Sequence, residues 1–190
     1  TPISITFLPS EHLEARLAAA TAVKKQGFIP VPHISARRIA SEEELENFVS
    51  RLSQEVGIDR VFVVAGDLVE PVGPYRDALA VINSGVLSRH GVRKVGIGGY
   101  PEGHPQISTT LLWQALRDKS EAISAAGQSC EIITQFGFDA DPVLQWLSEV
   151  RANGIAAPIR VGLPGPANVK TLLKFASRCG VGASTKVIRK

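Results

Sequence analysis

Six short apolar runs alternate with longer amphipathic runs along this 190-residue chain, and this alternation limits the possible folds more than any other feature. The apolar runs are rich in β-branched residues, and several are apolar on both faces, which is typical of buried parallel strands. Strict alternation of strand and helix predicts an α/β protein with a parallel sheet. The predicted strands span residues 3–8, 28–34, 60–66, 94–99, 131–136 and 158–163.

The intervening amphipathic runs have recognisable helix ends. Ser41 and Glu44 have the spacing of a capping box and predict a helix that ends before Gly57. Asp141, followed by Pro142, predicts the N-cap and first residue of a later helix. The other helices are predicted at about 13–26, 75–88, 108–126 and 167–179.

The number of residues in each predicted βα unit and the residue types at the strand ends favour a barrel over an open sheet. Each predicted unit takes about 32 residues, close to the value for a (β/α)8 TIM barrel. The barrel hypothesis expects a single domain over residues 1–190 with about six βα units, lacking an N-terminal and a C-terminal strand unit. The alternative is a complete six-stranded doubly wound domain. A polar residue or glycine that could serve a site lies at or just beyond the C-terminal end of every predicted strand: Thr6, His33, Asp67, Tyr100, Gln135 and Gly162.

Composition excludes several classes of protein. The net charge of +3 is small and the basic residues are scattered, so no nucleic-acid partner is expected. No apolar run reaches the roughly 20 residues that span a bilayer, so no membrane partner is expected. Cys130 and Cys179 are isolated, which indicates reduced thiols in a cytoplasmic protein. No metal-binding motif is present, and no metal is expected.

The segment 98–105, Gly-Gly-Tyr-Pro-Glu-Gly-His-Pro, is the most unusual stretch of the chain. Glycines allow a ligand to approach the backbone, and prolines keep the loop stiff while Tyr100 and His104 project from it. The segment is not a dinucleotide fingerprint, because Pro101 stands where the third glycine would be. We therefore interpret it as a binding loop.

Other strand ends allow two interpretations each. Asp67 is a candidate site carboxylate or the cap of a loop. His33 is a candidate catalyst or a hydrogen-bonded wall residue. Gln135 could contact an amide-like ring edge or satisfy a neighbouring backbone group. The segment 162–168 could hold an anion on its amides or form a plain turn.

Four motifs together resemble the methylenetetrahydrofolate reductase family in its FAD-dependent bacterial form. They occur in the family's order and at comparable spacing. A fifth segment, Gly162-Leu163-Pro164, resembles the family's next βα unit. The four motifs are Pro32-His33, Ala65-Gly66-Asp67-Leu68, the Tyr-Pro-Glu-Gly-His-Pro run at 100–105 and Thr-Gln-Phe-Gly-Phe at 134–138.

This resemblance implies a flavin enzyme. FAD would lie at the mouth of the barrel, NADH or NADPH would reduce it, and 5,10-methylenetetrahydrofolate would receive the hydride and become 5-methyltetrahydrofolate. Asp67 would be catalytic, stabilising the cationic iminium form of the folate. The folate would also contact Gln135, Phe136 and Phe138. The implied FAD contacts are Thr6, His33, Gly66, Asp67, Tyr100, His104 and Lys119.

Departures from the family pattern keep two alternatives open. Ala65 replaces a common arginine, and Gly137 replaces a common aromatic residue. These two changes leave open the alternative that the chain is a related flavoprotein that acts on another substrate. The family's general acid is a glutamate that we expect upstream of Thr1, which motivates a degenerate, non-catalytic protein that binds folate or a partner. Open sheet edges also predict a homo-oligomer.

Overall fold

The computed structural model describes residues 1–7, 12–166, 168, 170–172 and 174. Six strands form one sheet in the order β1-β2-β3-β4-β5-β6. The strands are β1 (Pro2–Ile5), β2 (Ile29–Ser35), β3 (Arg60–Val64), β4 (Lys94–Gly99), β5 (Ser129–Thr134) and β6 (Ile159–Arg160).

The strand order confirms the predicted α/β class and the barrel-type topology. β1 pairs with β2, β2 with β3, β3 with β4 and β5 with β6, all in parallel. A doubly wound sheet reverses its strand order at a switch point, whereas here each strand follows its predecessor. Sequential parallel strands joined by helices are the arrangement of a (β/α)8 barrel.

The helices follow the strands as predicted, and several of them begin at a side-chain cap. The Ser41 hydroxyl accepts a hydrogen bond from the Glu44 amide at 3.1 Å, and the Glu44 carboxylate accepts one from the Ala40 amide at 2.7 Å. These bonds confirm the predicted capping pair. The helices are α1 (Leu13–Lys25), α2 (Glu42–Arg51), α3 (Ala78–Asn83), α4 (Val86–Arg89), α5 (Thr109–Ala125) and α6 (Ala140–Ala152); a π-helical turn, Leu52–Val56, continues α2.

Two predicted helices differ from those observed. Asp139, not Asp141, caps α6, because its carboxylate accepts from the Asp141 amide at 3.2 Å. The chain is therefore already helical at Asp141. The helix predicted at 75–88 is divided into α3 and α4, because Gly85 between them has a φ of +74°. Most of the helix predicted at 167–179, and Cys179, lie outside the described residues.

The residues group into two compact units. The first comprises Thr1–Ile97 with Asp118–Cys130, and the second Gly98–Arg117 with Glu131–Lys190. The predicted single domain stays a prediction. Across the described part of the chain, no helix combines the length and apolar character needed to cross a membrane. Fully buried side chains of the first unit include Ile34, Leu45, Phe48, Val61 and Val63, and those of the second include Ile132 and Val150.

Candidate functional site

Thr6 directly follows β1, and His33 lies near the end of the neighbouring parallel strand β2, both in the first unit. Ile5 pairs with Pro32, so the same register continued by one residue sets Thr6 beside His33. The His33 ring packs against Phe62, with 4.8 Å between centroids and a 51° angle between planes. Burial lowers the pKa of His33 to about 4. The imidazole is therefore neutral near pH 7 and can act as a hydrogen-bonding group but not as a cation.

Asp67 follows β3 and forms a bidentate ion pair with Arg38. The guanidinium Nε is 2.8 Å from Oδ1 and Nη2 is 2.9 Å from Oδ2. Two-thirds of the Asp67 side chain is exposed, whereas Arg38 is largely buried. The Arg38 guanidinium lowers the pKa of Asp67 below its usual range. The result is an ionised carboxylate that is fixed on one side and open to solvent on the other.

Arg37 holds the loop that carries Asp67. Its guanidinium donates to the carbonyl oxygens of Leu68 and Arg76, both at 2.8 Å, and its amide donates to the Ala65 carbonyl at 2.9 Å. Arg37 and Arg38 are not among the site residues predicted from the sequence. The sequence feature that could have identified them is the pair of consecutive arginines shortly after a predicted strand. The loops of neighbouring parallel strands meet at that end of the sheet.

Gly66 brings the backbone close to the end of β2. Its φ is +96°, a conformation that favours glycine, and an added Cβ would lie 3.3 Å from the Ser35 Cβ. Ser35 is buried. A larger residue at position 66 would therefore require both backbone strain and movement of Ser35.

Lys119, the predicted cofactor contact on α5, lies among groups that affect its charge. Burial lowers the pKa of Lys119, and the charges of Asp77 and Cys130 raise it. Asp77 also caps α3, since its carboxylate accepts from the Ala80 amide at 2.9 Å. Lys119 is thus a largely desolvated amine near a carboxylate, and its contact with a cofactor stays a prediction.

Tyr100 and His104 lie together in the predicted binding loop of the second unit. Their rings meet edge to face, 5.3 Å apart at 89°. The Gly103 amide donates to the Tyr100 carbonyl at 3.0 Å, which closes the turn between them. Nδ1 of His104 accepts from the Gln106 amide at 3.2 Å, so the neutral ring carries its proton on Nε2 and can donate from it.

Gln135, Phe136 and Phe138 follow β5 in the second unit. The Gln135 amide nitrogen of the backbone donates to the Gly99 carbonyl at 2.8 Å. The Gln135 side-chain oxygen accepts from the Phe136 amide at 3.2 Å, as the backbone-satisfying interpretation predicts. Phe136 and Phe138 meet edge to face at 5.7 Å. These contacts orient one amide and two aromatic rings at a single strand end.

Two glycines near these rings are fixed by close neighbours. A Cβ at Gly137 would lie 2.7 Å from Oε1 of Glu102, so a side chain there would displace that carboxylate. The Gly162 amide donates to the Thr134 hydroxyl at 2.8 Å. This amide is already used within the protein, so it is not free to hold an anion; the role of the rest of the segment 162–168 stays a prediction.

The chemistry available is that of binding and charge stabilisation. The described residues contain no group of three or more histidine, cysteine, aspartate or glutamate side chains that could hold a metal ion. The first unit offers an oriented carboxylate, a neutral imidazole and a glycine turn. The second unit offers a phenol, an imidazole donor and a pair of aromatic rings. Such groups suit an organic cofactor and a heterocyclic substrate.

Comparisons with known proteins agree with the four motifs. The family model described as "Methylenetetrahydrofolate reductase" matches residues 3–190. "Methylenetetrahydrofolate reductase 2" of Saccharomyces cerevisiae is 35% identical over 88 residues, covering 46% of this chain and 14% of that protein. "Methylenetetrahydrofolate reductase (NADH) 1" of Arabidopsis thaliana is 28% identical over 138 residues, covering 65% and 23%. The alignments thus span less than a quarter of each relative. Since the family model covers nearly the whole sequence, the chain belongs to the methylenetetrahydrofolate reductase family.

Proposed function

We propose that this chain binds FAD and reduces 5,10-methylenetetrahydrofolate to 5-methyltetrahydrofolate with electrons from NADH or NADPH. Family membership supports the reaction class. The observation that carries the proposal is the Asp67 carboxylate, ionised and oriented by Arg38 and open to solvent at the end of β3. A fixed negative charge of this kind stabilises a cationic substrate, which the iminium form of methylenetetrahydrofolate is.

The donor groups fit a flavin. In the first unit, the neutral His33 ring, the Thr6 hydroxyl and the backbone at Gly66 could bind the polar edges and hydroxyl groups of such a cofactor. The Lys119 amine suits its phosphates. In the second unit, Tyr100 and His104 add a phenol and an imidazole donor.

In this mechanism the side chains of the protein would bind and orient the cofactor and the substrate and stabilise the charge of the substrate. Bound FAD supplies a two-electron carrier between the nicotinamide and the folate. The Asp67 carboxylate would lower the energy of the cationic iminium form of the substrate. Gln135 hydrogen-bonds to the pterin, and Phe136 and Phe138 cover its faces and exclude water. Arg38 keeps Asp67 ionised and in one orientation.

The test is a visible absorption spectrum of the protein, followed anaerobically as NADH or NADPH is added. The expected result is a flavin band that bleaches with reductant and returns when methylenetetrahydrofolate is added. Protein that stays colourless when FAD is supplied would overturn the proposal. Asp67→Asn is expected to retain flavin and lose folate-dependent reoxidation, whereas Glu70→Gln, an exposed neighbour in the same loop, is expected to behave as the parent.

A related flavoprotein with another substrate is the second candidate. The Glu102 carboxylate occupies the space beside Gly137, so the pocket surface there is acidic, where the family commonly has an aromatic ring. Rates of reoxidation by methylenetetrahydrofolate and by other electron acceptors separate the two candidates. Equal rates would favour the second.

A further inference from the structure

A cavity of about 300 Å³ lies within the second unit, beneath the binding loop. Its walls come from the end of β4, the loop that follows, the first half of α5 and the middle of α6. This volume is at the lower end of the range of roughly 300–1,000 Å³ that is usual for small-molecule sites. Nothing in the proposed flavin chemistry uses it, apart from Tyr100, which lines one side.

Two tryptophans line the cavity, and they are the two that the 190-residue sequence contains. Trp113 of α5 and Trp146 of α6 stack with 6.0 Å between centroids and 26° between planes. Trp146 is buried against β4, where a Cβ on Gly99 would lie 2.6 Å from its ring. Because Gly99 has no side chain, the Trp146 indole packs directly against β4. This packing holds the aromatic wall of the cavity in place.

The charged side chains that line the cavity are both acidic. Glu102 reaches it from the loop and Glu149 from α6, and the described lining residues include no lysine, arginine or histidine. The Glu149 carboxylate is oriented by Gln145, whose side-chain nitrogen donates to Oε1 at 2.8 Å. Arg117, one turn beyond Trp113, donates instead to Asn153 and Gln114. Glu149 therefore places an oriented carboxylate on the cavity wall, in the same lining as the two indole rings.

Indole faces combined with carboxylates attract one class of small ligand. The faces of aromatic rings carry negative partial charge, and tryptophan gives the strongest cation–π interactions. An anion such as a phosphate would meet two carboxylates and no cation here. An uncharged ligand could accept no more from Glu149 than a hydrogen bond, without the attraction between opposite charges. We propose that this cavity is a binding site for a small organic cation, of the quaternary or alkylated ammonium class, in contact with Trp113, Trp146 and Glu149.

The test uses the fluorescence of these tryptophans. The full chain is titrated at constant ionic strength with choline and, in parallel, with 3,3-dimethyl-1-butanol, which has the same shape without the charge. The expected result is a saturable change in fluorescence with choline and a much weaker response to the alcohol. Equal responses, or no response to choline, would overturn the proposal. The readout requires no flavin, so its outcome is independent of the proposed reductase activity.

Two variants localise the effect. Glu149→Gln keeps the shape of the wall and removes its charge, and is expected to weaken choline binding by roughly fivefold. Glu121→Gln removes an exposed charge elsewhere on α5 and is expected to leave binding unchanged. If both variants weaken binding equally, overall charge and not this cavity attracts the cation, and the proposal is wrong. Unchanged binding in Glu149→Gln would also contradict it.

Discussion

Arg38 and Asp67, which are 29 residues apart in the sequence, form a bidentate ion pair with nitrogen–oxygen distances of 2.8 and 2.9 Å. Each arrives at the pair from the end of a different strand, Arg38 after β2 and Asp67 after β3. Planar guanidinium and carboxylate groups match in this geometry, so the pair sets both the charge and the orientation of Asp67.

Removal of Arg38 is expected to raise the pKa of Asp67. In Arg38→Gln the carboxylate loses its hydrogen bonds and the adjacent charge, so its pKa should return toward the ordinary aspartate value. Carbon-13 NMR titration of labelled aspartates measures this directly. Asp59 is the internal control, because Arg60 and Arg93 hold it instead. An unchanged pKa of Asp67 would contradict the prediction. Stability should change by less than about 1 kcal/mol, since the pair is partly exposed.

The buried His33 predicts a loss of stability in acid. Its pKa is about 4 in the folded protein, below the ordinary value of about 6.5, so the unfolded chain binds more protons between these values. The contribution of the neutral, buried His33 to the free energy of unfolding is fully present above about pH 6.5 and is lost as the pH falls toward 4. Between about pH 7 and 5, the parent should lose on the order of 1 kcal/mol more than His33→Gln.

Urea unfolding at the two pH values measures this difference. His12→Gln serves as the control, because His12 is exposed. It should retain the pH dependence of the parent. If His33→Gln also retained the pH dependence of the parent, the buried imidazole would not be the source of that pH dependence.

A methyl group on Gly99 is expected to destabilise the second unit. Its Cβ would lie 2.6 Å from the Trp146 ring and 2.9 Å from Ile132, and neither can move freely in a packed core. Gly99→Ala should cost roughly 1–3 kcal/mol. Gly165→Ala, with no atom within 4 Å of its added Cβ, is the matched control and should be nearly neutral. Thermal unfolding compares the two, and equal effects would contradict the proposed contact.

Asp77 is expected to have two separable effects. Its carboxylate caps α3 through the Ala80 amide and raises the pKa of Lys119. Asp77→Asn preserves a capping side chain but removes the charge, so it should lower the pKa of Lys119 and leave stability nearly unchanged. Asp77→Ala should lower that pKa and also cost about 1 kcal/mol. NMR titration of Lys119 with denaturant unfolding separates the effects; no change in the Lys119 pKa would refute the coupling.

The sequence was sufficient for the fold class and for much of the local structure. Alternating apolar periodicity located all six strands, because a buried parallel strand needs β-branched and apolar residues on both faces. Ser41 and Glu44 identified a helix start because capping bonds join residues three apart in sequence. The four motifs together were enough to suggest the family that the family model confirms, since each motif lies within one short segment.

The tertiary structure alone decided which side chains control the site. Arg38 pairs with Asp67, and Trp146 covers Gly99, although each pair is distant in sequence. The cap of α6 also moved from Asp141 to Asp139, because both are competent caps and the backbone path selects between them. Local patterns report backbone preference within a few residues. Contacts between distant residues depend on strand register and packing, which only the folded chain specifies.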